Sequence, residues 1–416
     1  MTRESAYRRF QRRFLRHKLA VASLFVILVY FAVAVLLLIG WPVNEEAATA
    51  RFGPMHVPGF YITPPAEDRL MKAEWWIQYI DSALKKPDPQ KAIQDLQRVG
   101  YRRPAELSVA EFTQRTERSF AVLDALDRKL GDEQFSDESL TAEIQALESE
   151  VDRLYEPLES LDAFRQSAAL LLGTDRQGRS IFFRAVYAIQ IAVMVGAVTG
   201  LASVAIGTVL GMAAGLWGGW VDGLVTWLYT TLASIPNLVL LILLAHVFSG
   251  TAIDDRLNRW TSERFSDWMG GRLIGDTLFP VYVAFIATFW IGPCRVIRGE
   301  TLKIRELEYV QAATVMGFGR LRILFRHVLP NVAYLMLINF SLLFIGAIKS
   351  EVILSFLGLG VKNVPSWGTM ISNSGYEVIN GFFWQIGAAT VFMLVLVLAF
   401  NIVSDALQDV FDPRHV

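Results

Sequence analysis

The chain has 416 residues, 53% of them hydrophobic, with a mean hydropathy of +0.37 and a formal net charge of −1. That apolar share exceeds the roughly 45–50% of an ordinary soluble domain, and the near-zero charge carries no footprint for nucleic acid, so a membrane protein is the first class to test. A single cysteine, Cys294, excludes an internal disulfide framework.

Residues 1–18 form a basic head in which Arg3, Arg8, Arg9, Arg12, Arg13, Arg16 and Lys18 are cationic. Residues 19–41 follow without a charge, long enough for the roughly 20-residue helix that a bilayer core requires. A basic head, an apolar run and Ala48–Ala50 also resemble a cleaved secretory signal. The run is too long for a signal core of about 7–15 residues, and Trp41-Pro42 intervenes.

Residues 42–168 break the apolar pattern. Between Val43 and Ala168 there are 24 acidic and 15 basic residues, so this piece is acidic and the remainder is basic. Ser108 and Glu111 read as a capping box ahead of an amphipathic helix ending near Leu130. After the turn Gly131–Ser136, the positions Leu140, Ile144, Leu147, Val151, Leu154, Leu158 and Leu161 alternate four and three apart, the seam of a coiled coil. A helical hairpin is predicted, its second helix kinked at Pro157. Two roles fit it, a docking surface for a partner or a spacer packed on itself, and heptads do not say whose helix fills the seam.

Residues 169–416 hold five further predicted spans, at about 187–213, 223–249, 277–293, 328–348 and 381–404, which makes six in all. Asp222 within "GLWGGWVDG" marks a turn between the first two. Gly196, Gly200, Gly207, Gly211, Gly215 and Gly219 place small residues four apart along much of one face, which lets another helix approach closely. Pro236 is predicted to kink its span. Lys349 and His246 read as interfacial, whereas Glu351 reads equally as a pathway group or as a side chain reaching the headgroups.

Seven cations between Arg295 and Arg326, like the seven in the head, are predicted to face the cytoplasm, and six spans make the two regions agree. Arg256, Arg259, Arg264 and Arg272, in the loop 250–276, lie on the opposite side and oppose this assignment. The segment "EYVQAATVMGFGRLRILFRHVLPN" (308–331) reads as a short helix stopped by Gly317 and followed by a second basic run. Ala312 and Ala313 would give that helix a flat face, and the arginines suit anionic headgroups or a partner's carboxylates.

Gln311-Ala312-Ala313, Gly317, His327 and Leu329-Pro330 together resemble the cytoplasmic EAA loop of binding-protein-dependent ABC importer permeases. Gln311 stands where that family usually has Glu, and His327 where an aliphatic is common; the peptide-transporter branch is similar to this chain at both. "LLGTDRQGRSIFFRAVYAIQIAVMVG", "SEVILSFLGLGVKNVPSWGTMI" and "SDALQDVFDPR" resemble the C-type permease of dipeptide and oligopeptide importers. The insert 42–168 is a departure, far longer than that branch's usual connection.

The resemblance implies an all-α polytopic fold of the type I importer kind, with six membrane helices and an extracytoplasmic helical insert. It implies a permease subunit of the bacterial inner membrane, with both termini cytoplasmic and lipid around its spans. The partners implied are a second permease subunit, two ATP-binding subunits and an external solute-binding protein. The loop 295–329 would couple to the ATPases through Glu308, Gln311, Ala312, Ala313, Gly317 and Pro330; apart from the resemblance, Glu351 and Pro236 are the candidate pathway residues. No Gly-Lys dipeptide occurs, so no phosphate loop is present, and no catalytic group, cofactor, metal or nucleic acid is expected. Peptides are the expected cargo; nickel chelates, sugars and peptide antibiotics fit the same branch. A channel or secondary transporter working without an ATPase, or a membrane-anchored scaffold, is the rival class.

Overall fold

A computed structural model describes residues 17–50, 66–95, 104–105, 107–130, 137–156, 160–249, 256, 278–361 and 364–411. Most of the basic head, the turn Gly131–Ser136, Pro157, Leu158 and the arginines at 259, 264 and 272 lie outside these residues. The described residues are helical, with two isolated bridges and no strand. They divide into two compact units: Met1–Pro42 with Ala188–Ser372 and Ala389–Val416, and Val43–Tyr187 with Asn373–Ala388.

Among the described residues five continuous helices are long and apolar enough to cross a membrane: Lys18–Leu38, Ile181–Trp217, Phe279–Arg305, Arg320–Phe356 and Trp384–Val410. They are the first, second, fourth, fifth and sixth spans. The third predicted span is a bent pair, Gly219–Ala233 and Asn237–Phe248 meeting at 91°, which counted as one span makes six. Here the predicted kink is a full break, for a local reason. Pro236 has no N–H to donate and its ring disfavours a helical residue before it, so the chain leaves the helix at Ser234 and restarts at Asn237.

The glycine face of the second span is where the fourth span packs. A Cβ at Gly207 would sit 2.7 Å from the Trp290 carbonyl oxygen, and one at Gly211 would sit 2.7 Å from that of Cys294. At Gly215 it would meet the Thr301 side chain at 2.7 Å, and at Gly196 the Phe344 ring at the same distance. Gly219 does not continue the stripe. With Gly218 it takes positive φ and turns the chain into the third span. Gly211→Leu is expected to force these backbones apart, costing about 1–3 kcal/mol or more for an overpacked interior. A lowered melting temperature in detergent would show it, and an unchanged one would mean that the contact is slack.

At the end of these helices Arg298 grips Asp222 with two parallel bonds, one of them Nη2 to Oδ2 at 2.7 Å. Arg305 Nη1 donates to the Gly215 carbonyl at 3.2 Å, and the Arg295 guanidinium lies 4.8 Å from the centre of the Tyr229 ring. Three of the seven cations predicted to face the cytoplasm are therefore engaged within the protein. The same pair puts the Asp222 turn and the basic segment at one end of the span bundle, as alternating crossings require.

In the second unit, Ala66–Leu84, Val109–Leu130 and Asp137–Asp152 pack around Leu70, Ile77, Leu123, Leu126, Ile144 and Leu147. The predicted pair of helices is thus corrected to three. Ile144, Leu147 and Val151 of the seam pack with Leu123 and Leu126 of the predicted partner helix and also with Ala66–Leu84 of the same chain, and the second predicted helix ends at Asp152. The capping box forms: Ser108 N donates to Glu111 Oε2 at 3.0 Å and Glu111 N to Ser108 Oγ at 3.3 Å. The Ser108 N–H and then the Ser108 hydroxyl, both donating to it, hold the Glu111 carboxyl below its usual range, so the box's contribution is present above the ordinary carboxylate pKa and is lost as pH falls through the depressed one.

Also in this unit, "GTDRQGRS" is a turn wound around Asp175. Its carboxylate accepts from Gln177 N at 2.8 Å, Arg179 N at 2.9 Å and the Arg179 side chain at 2.8 Å, and it pairs with Arg184. Arg176 N donates to Glu377 Oε1 at 2.8 Å, while Arg184 reaches Gln385 at 3.3 Å. The sequence motif is therefore an electrostatic knot tying residues 175–184 to 377–385.

Candidate functional site

The helix that continues the fourth span ends at Arg305, and an extended Leu307 separates it from a second helix, Glu308–Val315. No side chain of Leu307 caps that start; instead Gln311 Nε2 reaches back to the Glu306 carbonyl at 3.2 Å. Gly317, at φ +79°, stops the helix: its N–H bonds Thr314 O at 3.0 Å, and that of Phe318 bonds Ala313 O at 3.1 Å. That paired pattern is the Schellman motif, which requires a left-handed residue where Gly317 stands.

The two alanines face different ways. Val310 and Ala313 are buried in one cluster with Ile323, Leu324, Val328 and Val332, whereas Glu308, Gln311 and Ala312 are exposed. Residues one apart on a helix point about 100° from each other, so the expectation of one flat face for both is corrected to Ala312 alone. Around it the surface is apolar. Val315 is 88% exposed and Met316 66%, with Leu321 and Phe325 also open and Arg320, Arg322 and Arg326 among them. Clustered exposed apolar side chains ringed by charge are the composition of a protein interface.

Pro330 is the second residue of the helix Leu329–Phe356, at the start of the apolar run of the fifth span. Immediately ahead, Leu324–Val328 is a π turn, whose closing bond runs from Leu329 N to Leu324 O. This segment was missed in the sequence.

Pro236 and Glu351 lie apart from this segment in sequence and in role. The break at Pro236 borders a concavity of about 550 Å³, whose lining includes Ser234, Asn237, Thr288, Phe289 and Gly346. Glu351 is 2% exposed, and Ser355 Oγ donates to its Oε1 at 2.6 Å. Ser355 in turn accepts from Val361 N at 3.2 Å. The carboxylate therefore braces the loop after the fifth span and does not reach the surface; hydroxyl partners are what make such burial tolerable. Lys349 and His246 are exposed.

Comparison with known proteins supplies the family. A profile for the binding-protein-dependent transport system inner membrane component matches residues 207–415. The chain belongs to this permease family. Residues 5–55 match a second profile, the N-terminal TM domain of oligopeptide transport permease C. The dipeptide transport system permease protein DppC of Bacillus subtilis is 31% identical over 249 residues, 60% of this chain and 70% of the relative. The oligopeptide transport system permease protein OppC of Escherichia coli K12 is 32% identical over 243 residues, 58% of this chain and 72% of the relative. The permease is thus a multi-pass transmembrane subunit of an ABC importer, and its helix Glu308–Val315 falls inside the matched region.

Proposed function

We propose that this permease carries peptides, delivered by an extracytoplasmic solute-binding protein, across the bacterial inner membrane together with a second permease subunit and two ATP-binding subunits. The peptide relatives support the cargo. The observation that carries the coupling role is the exposed apolar surface around Ala312, Val315 and Met316, held at a fixed angle by the Gly317 stop. Nucleotide-driven closure of the ATPases pulls on Glu308, Gln311 and Ala312. Ala313 and Pro330 act from inside, anchoring the short helix to the fifth span. The concavity at the broken third span is where the passing solute meets the protein, because an interrupted helix offers backbone groups that a continuous one uses internally. Both termini and the segment 295–329 face the cytoplasm, and the insert 42–168 faces outward.

Two measurements test this reading. The tagged permease should retain an ATP-binding subunit through purification; complete absence of any ATPase would remove the coupling role. In intact cells an impermeant maleimide should label Ser149→Cys in the insert and spare Val315→Cys. Labelling of both from outside would overturn the topology.

A further inference from the structure

The π turn Leu324–Val328 sits between the coupling helix and the fifth span, and nothing in the coupling role just proposed uses it. A π turn holds one residue more than an α turn, and such turns inside long helices frequently mark functional positions. Its cause is local: Pro330 has no N–H to return to the Arg326 carbonyl and its ring crowds that carbonyl, so the helix widens ahead of it. The inner face of the coupling helix, Val310 and Ala313, packs on Leu324 and Val328 of this turn.

One polar link accompanies that packing. The Asn331 amide donates to the Tyr309 hydroxyl of the coupling helix at 3.0 Å and to the His327 carbonyl within the turn at 2.6 Å. The His327 ring lies 5.9 Å from that of Tyr309. Its Nε2 is buried with no hydrogen-bond partner among the described residues. A buried polar atom without a partner, at the joint between two helices, is a group that a water, a bound partner or another arrangement of that joint can satisfy.

Resting on the coupling role assigned to Glu308–Val315, we propose that Tyr309, His327 and Asn331 are positioning residues that pass the coupling helix's displacement into the fifth span, with the π turn as the compliant joint. The joint has two arrangements, the wide turn seen here and an ordinary α turn, reached when the residue in excess slips past. The slip moves one side relative to the other by about 1.5 Å along the axis and about 100° around it. It is the discrete two-state element that coupling between distant sites requires.

The test uses the whole importer, purified with its ATPases, carrying nitroxide labels at Thr314→Cys, on the flank of the coupling helix away from Ala312 and Val315, and at Leu342→Cys, both exposed. Pulsed electron resonance reads the distance between them without nucleotide and with ADP and vanadate. The distance should shift between the two states in the otherwise native chain. Deleting Phe325, an exposed residue of the π turn, regularises the helix while keeping the register on both sides, and should abolish the shift although the ATPases stay bound. Tyr309→Phe keeps the ring and removes only the hydroxyl, and should reduce the shift without lowering the melting temperature. Equal shifts in the native chain and in Tyr309→Phe, or in the native chain and the deletion, would overturn the proposal. Loss of the ATPases from the native permease would instead refute the coupling role and is read separately, from the purified complex.

Discussion

Ala312→Trp is expected to abolish ATP-driven uptake while the permease still reaches the membrane in normal amount. Ala312 is exposed on a helix whose opposite face is already packed, so an indole there does not disturb the fold; it stands where a partner surface must close. Truncated or blocked central contacts commonly cost an interface 2 kcal/mol or more, about 30-fold in affinity. The ATPase should therefore be lost on washing. Ala313→Trp should behave differently, lowering the amount of folded permease, because Ala313 is enclosed by Ile323, Leu324 and Val328. Gly317→Val should resemble Ala312→Trp, since a β-branched residue at φ +79° carries strain of order 1–3 kcal/mol and unwinds the helix stop. Undiminished uptake in Ala312→Trp and Gly317→Val together would end the coupling assignment.

The largest loss of stability is expected from Asp175→Ala. Asp175 and Arg184 are nearly sealed from solvent, with side chains 2% and 3% exposed. Removing the carboxylate leaves the Arg184 guanidinium buried without its counter-ion and strips the turn of the acceptor for two backbone N–H groups. Breaking one side of such a pair costs about 3–5 kcal/mol, whereas replacing both sides with apolar groups is often close to neutral. Asp175→Ala should thus sharply reduce the folded yield, and the double variant Asp175→Ala, Arg184→Met should recover part of it. Equal losses in the single and double variants would show that the turn, not the charge pair, holds the segment.

Much of this architecture was legible because it rests on long, repeated signals. Twenty apolar residues in a row need no neighbour to be read as a span, and the Ser108–Glu111 box and the Gly317 stop are local motifs whose partners lie within five residues. Other features depend on what lies across from them. Ala312 and Ala313 are chemically identical, and only Leu324 and Val328 decide which one is buried. The leucine seam in the insert announced that something would fill it, and Ala66–Leu84 carries a matching three-and-four spacing at Leu70, Ala73, Ile77, Ile80 and Leu84, masked by the Glu, Trp and Gln residues between. The π turn is a single residue of excess within a short basic run, too brief for any periodicity to register. Asp175 was visible in a quoted motif, yet the partners of its neighbours Arg176 and Arg184, Glu377 and Gln385, lie some two hundred positions away.

The closeness of the second and fourth helices also decides what chemistry the permease allows an experimenter. Cys294, whose backbone lies against Gly211, has no solvent exposure and is surrounded by Ala214, Tyr229 and Trp290. Thiol reagents should pass it by, so introduced cysteines can be read on an otherwise native background, with no need to engineer away the one nature left behind.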